Sequence, residues 1–138
     1  MQMQSQIINI ITSLTNLYGI AAFSSCQSHL DKAVIANCIL ASSLMHLSER
    51  KHGLVGIYPF NKFSTFFLNY DRVSSSSLVI YTILTKDVTF VFHTLYPYIG
   101  MLSLFLSEKV CVNNKLFFTV THNIWHIAAF HCLYLIYH

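Results

Sequence analysis

The amino-acid sequence predicts an all-α fold, a polytopic transmembrane helical bundle of about five spans. Three observations lead there. Of the 138 residues, 54% are hydrophobic and only 9% charged, whereas a water-soluble domain carries about 25% charged residues to cover its core. The apolar residues fall into long continuous runs instead of alternating, and about 20 such residues cross a bilayer as a helix. The ionisable residues cluster between those runs or near their ends.

Five runs follow in order: 7–26, 33–47, 63–84, 88–106 and 116–137. The first has no Lys or Arg in its leader and exceeds the length of a signal-peptide core, so it reads as a retained helix. The second is the shortest. The third carries Asp71 and Arg72 near its start, and its Ser74–Ser77 tract suits packing against a neighbouring helix. The fourth contains Pro97 and Gly100, which a membrane helix tolerates where neighbours satisfy the freed carbonyl. The fifth is aromatic-rich and holds most of the histidine signal. No internal repeat or linker divides the chain, so residues 1–138 form a single helical domain.

Five spans place the termini on opposite sides. The side of the N-terminus carries Arg50, Lys51, Lys62, Lys109 and Lys115 in its loops, with Arg72 close by, while the other side has Lys32 and Lys86. Lys and Arg in short loops favour the cytoplasm, so the N-terminus is expected inside and His138 outside or lumenal.

Several functional classes lose support here. The net charge of +3 is small and scattered, which argues against nucleic acid as a partner. There is no Gly-rich phosphate loop and no GxSxG elbow. Cys26, Cys38, Cys111 and Cys132 show no CxxC spacing and read as reduced thiols acting as small apolar groups.

Ionisable groups inside spans are costly and mark function. His46 ends the second run, in Ser42-Ser43-Leu44-Met45-His46. Asp71 lies near the start of the third, and His122 and His126 in the first half of the fifth. His122 and His126 are four apart, so their imidazoles share one face of a helix. Ser42 and His46 share the same spacing, although Ser43 at three residues is nearly as close to His46. The end of the second run and the starts of the third and fifth lie on one side of the membrane. His46, Asp71 and the His122/His126 pair are therefore expected at similar depth. Three neutral imidazoles suit zinc, with an open fourth position for water, a carboxylate can accept a proton from that water, and a hydroxyl can steady an oxyanion. A rival set, His46, Glu49 and His52, repeats every third residue and offers Glu49 as the working carboxylate. His29, His93, His131 and His138 read as non-catalytic.

Ser-x-x-x-His late in an early helix, Asp early in the next, and His-x-x-x-His in the last form a pattern that resembles the CREST superfamily. That superfamily includes the alkaline ceramidases, the progestin and adipoQ receptors and the myomaker-like proteins. The resemblance implies zinc on His46, His122 and His126, with Ser42 and Asp71 completing the site, and activity on a ceramide-like lipid amide. Family members typically have seven helices, so this chain reads as a shortened member. Losing one pair of helices keeps the last helix starting on the same side, but removes part of the wall around a lipid cavity.

The function expected is thus a zinc-dependent hydrolase of lipid amides at the membrane, with membrane lipids as partners, or a degenerate relative retaining the metal. The alternative is a non-enzymatic membrane protein with structural zinc, acting in fusion, assembly or receptor-like signalling. A bis-histidine haem carrier ranks lower, because histidines four apart sit on the same side of an iron. A pore ranks lowest, because the polar groups gather at one end instead of lining a span.

Overall fold

The protein was described by a computed structural model covering residues 2–110 and 114–138; Cys111 lies outside the described residues. Every regular element among the described residues is helical. Helices α1 (Gln2–Thr15) and α2 (Gly19–Ser25) run on through a 3₁₀ turn at Asn16–Tyr18 and form one rod. They are followed by α3 (His29–Ser48), α4 (Ser64–Thr85), α5 (Tyr96–Phe105) and α6 (Lys115–Tyr137).

The helix ends follow local chemistry. The Ser28 side chain accepts from the backbone N–H of Leu30 and caps α3, which begins at His29, ahead of the apolar run. Asn114 caps α6 in the same way, accepting from the N–H of Phe117. The fourth run departs from a continuous helix. Residues 89–93 form a 3₁₀ turn, the chain extends at Thr94, and α5 begins only at Tyr96. Pro97 occupies the first turn of α5, where its missing N–H has no intrahelical partner to lose. It starts the helix instead of interrupting it. A π-helical turn at Leu106–Val110 extends α5 toward the histidine end.

The rods form an open arc. Helix α4 packs on α3, α3 on α1 and α2, these on α6, and α6 on α5. Among the described residues, α4 and α5 make no close backbone approach. Between them lies a cavity of about 640 Å³ lined by both. Gly19 lets the rods close on one another: a Cβ there would stand 2.7 Å from the Phe130 ring and 2.8 Å from Ile39.

The interior is unusually polar. Ser5, Asn9, Thr12 and Asn16 form a buried stripe along the first rod at helical spacing, and Ser42, His46, Ser74, Ser103, Ser107, His122 and His126 are buried on the others. Large apolar side chains face outward instead: Leu84 is 77% exposed, Leu95 74% and Leu116 72%. Two helical segments, Gln2–Ser25 and His29–Ser48, are long and apolar enough to cross a membrane.

Candidate metal centre

His46 comes from the last turn of α3, and His122 and His126 from consecutive turns of α6. The three imidazoles form a near-equilateral triangle, with ring centroids 4.8–4.9 Å apart. One potential ligand atom from each lies within 4.8 Å of the others, and all three residues are buried. Such a set could hold a metal ion.

Each of the three rings has a hydrogen-bond partner behind it. His46 Nδ1 lies 3.0 Å from Glu49 Oε2. His126 Nδ1 lies 3.0 Å from the Thr15 hydroxyl. That hydroxyl donates to the Thr12 carbonyl at 2.7 Å, so it accepts from His126. The Ser107 hydroxyl repeats the arrangement, donating to the Leu104 carbonyl at 2.8 Å and accepting from His122 Nδ1 at 3.3 Å. Each ring therefore has an oxygen beside its Nδ1.

The Nε2 atoms of His46 and His126 lie 3.1 Å apart. Two imidazole nitrogens at that distance share either a proton or a metal ion. Imidazole ligands ~2.0–2.1 Å from a tetrahedral zinc stand about 3.3 Å from one another, so the spacing fits two ligands of one ion. Oxygen partners on the outer nitrogens of metal-binding histidines fix the tautomer and ring orientation, and all three rings here have one.

The backbone around Glu49 is tightly held. Helix α3 stops at Ser48, and the extended Glu49 folds its carboxylate back onto His46 while its carbonyl accepts from Asn9 Nδ2 at 3.2 Å. Gly56 passes so close to the Ser48 carbonyl that a Cβ would stand 2.4 Å from its oxygen. The Ile57 N–H then bonds to the Leu47 carbonyl at 2.8 Å, returning the loop onto the helix end.

Ser42 and Asp71 face the cavity with His122 and His126. Ser42 on α3 and Asp71 on α4 line the same stretch of the cavity. Ser43 turns the other way and exchanges contacts with Ser13 on α1. Glu49 lies behind His46, away from the cavity. His52, in the left-handed backbone region at φ 55°, stacks on Phe118 at 4.0 Å. Its Nε2 lies 3.9 Å from Glu108 Oε1, too far to bond, and both of its ring nitrogens are buried without a hydrogen-bond partner. The set His46, Glu49 and His52 therefore does not converge as ligands.

His131 bonds to the Tyr18 hydroxyl at 3.0 Å, and His29, His93 and His138 are exposed. Cys26, Cys38 and Cys132 are free thiols, the first two buried. Thr15 and Ser107 went unnoticed in the sequence, since a lone hydroxyl on an apolar helix carries no pattern. The polar stripe on the first rod was legible and marks the face that supports the site.

Outside the helices, two charged groups show shifts with local causes. The Asp31 carboxylate, hydrogen-bonded to Lys86, holds that ammonium above the usual lysine range. The Thr89 hydroxyl and backbone N–H hold Asp87 below the usual carboxylate range. No protein-family model, no curated protein and no solved structure matches this chain.

Proposed function

We propose that this chain is a multi-pass membrane protein with its N-terminus on the cytoplasmic side, in which His46, His122 and His126 hold zinc for the hydrolysis of a lipid amide. The observation that supports it most is the convergence of three buried imidazoles, each with an oxygen beside its Nδ1. The reversed distribution of polarity supports the membrane reading. Exposed Leu and Phe cost little against lipid, and buried Ser, Thr and Asn bond across helices where no water competes. The resemblance to the CREST pattern supports the chemistry.

Zinc bound at such a site supplies a Lewis acid for a carbonyl oxygen and makes water a nucleophile near neutral pH. The protein does the rest. Asp71 faces the cavity and accepts the proton of the attacking water. Ser42 orients Asp71 and offers its hydroxyl to the oxygen that gains charge. Glu49, Thr15 and Ser107 keep the imidazoles aimed inward. The open side between α4 and α5 lets a bilayer lipid enter sideways.

Metal analysis by mass spectrometry on detergent-purified protein tests the centre. About one zinc per chain is expected, together with turnover of a ceramide-like amide. Asp71→Asn should keep the metal and lose turnover. A well-folded preparation made without chelator and containing no zinc would sink the hydrolase reading. Zinc without turnover on any lipid amide would make the metal structural.

A further inference from the structure

The cavity between α4 and α5 is polarised along its length. At the histidine end it is lined by Ser42, Lys51, Asp71, Arg72 and Glu108; farther along come Leu78, Ile83, Val91, Phe92 and Leu133. A volume of about 640 Å³ falls within the ~300–1,000 Å³ typical of a site for one small ligand. The four charges at the mouth are not equivalent. Asp71 directly precedes Arg72 on α4, and Glu108 lies 3.9 Å from both His52 Nε2 and His122 Nδ1, too far to bond. Lys51 and Arg72 make no ion pair among the described residues. Arg50 and Lys62 belong to the same end of the bundle but do not line this cavity, whereas Lys51 and Arg72 do.

We infer that Lys51 and Arg72 form the head-group subsite of this cavity and select a single-chain amphiphile carrying a phosphate monoester. The charge balance points to phosphate. A phosphate monoester carries about −1.5 to −2 near neutral pH, enough for both cations, and an Arg fork grips it bidentately while Lys adds a point charge. A carboxylate head matches only one of them. The chain lies along the apolar stretch, and the head stays beside the histidines. The inference rests on the membrane and hydrolase reading above and narrows its substrate to lipids with that head.

Three fluorescent single-chain probes of equal chain length test it: one with a phosphate monoester, one with a carboxylate and one uncharged. Each is titrated into protein held in zwitterionic-lipid nanodiscs. The wild type should bind the phosphate probe about tenfold more tightly than the uncharged one, with the carboxylate between. A K51Q/R72Q variant should bring the three to parity, with zinc content and helical circular dichroism unchanged, both side chains being exposed. Rising salt should erase the wild-type preference but leave the variant flat.

Equal wild-type affinity for charged and uncharged probes would overturn the inference, as would a carboxylate bound as tightly as phosphate. It also falls if R50Q/K62Q lowers the preference as much as K51Q/R72Q does, since a general surface field would then explain it. Failure of the hydrolase reading would appear separately, as absent zinc or absent turnover in the same preparations.

Discussion

At the two ends of this bundle, buried polar groups are treated in opposite ways. At the far end, the buried side-chain nitrogens and oxygens of the described residues all find partners in the protein. Asp31 is 2% exposed, yet it accepts from Lys86 Nζ at 2.9 Å and from the Tyr81 hydroxyl at 2.7 Å. Lys86 also lies over the Tyr137 ring at 4.8 Å, and the Tyr137 hydroxyl meets Thr82 at 3.1 Å. At the histidine end, three buried imidazoles converge on one another. The buried side-chain atoms without partners, on Asn9, Thr12, Asn16 and His52, also lie at that end or on the rod that supports it. A buried polar group left unpaired costs roughly 1–3 kcal/mol. The far end closes on itself and holds helices together. The histidine end gathers three buried imidazoles that could hold a metal ion.

Removing the ligands tests the contrast most severely. His122→Ala/His126→Ala should abolish metal binding, read as zinc per chain. Chelation of the wild type should lower its melting temperature, because a ligand at ~100 times its Kd stabilises by about 2.7 kcal/mol. The double variant should not respond to chelator. A chelator effect of equal size in both would break the comparison.

Lys86→Ala is next in size and should act on stability alone. It leaves Asp31 with the Tyr81 hydroxyl as its side-chain partner, and losing a hydrogen bond to a charged group costs about 1.5–3 kcal/mol. Asp31→Ala should cost less, since Lys86 keeps 30% of its side chain in contact with solvent and can turn outward. Denaturation of both variants checks the asymmetry, and zinc content should be unchanged. pH probes the same pair. Lys86 titrates above the usual lysine range when folded, so its contribution is fully present below pH ~10.4 and is lost only as pH rises through the higher folded value. A loss of stability between pH 7 and 9 traced to Lys86 would contradict the pairing.

Glu49→Gln sharpens the picture at the histidine end. Outer partners of metal-binding histidines are worth about 10–100-fold in metal affinity, so zinc competition should show a loss in that range with the fold intact. Thr15→Val is the smallest change. It removes one neutral hydrogen bond, worth about 0.5–1.5 kcal/mol, and should weaken zinc by no more than about tenfold. A Thr15 effect larger than that of Glu49 would reverse the assigned hierarchy.

By itself the amino-acid sequence determined the helical class, the approximate position of the helices and the residues worth watching. Apolar runs of helix-spanning length and a four-residue spacing of imidazoles are local properties, written in consecutive residues. Where one local signal was misread, at Pro97, the cause was also local: the same ring that disrupts a helix interior is neutral in its first turn. Tertiary structure alone decided the rest. Whether Ser42 or Ser43 faces the cavity depends on which side of α3 meets α1. Glu49 lies behind His46 because α3 ends at Ser48 and Gly56 lets the loop return against that helix end. Thr15 and Ser107 became partners of His126 and His122 only when the first rod and the end of α5 packed on α6. A hydrogen bond between distant residues depends on how rigid helices are rotated and offset against each other, and that is settled by packing over the whole bundle.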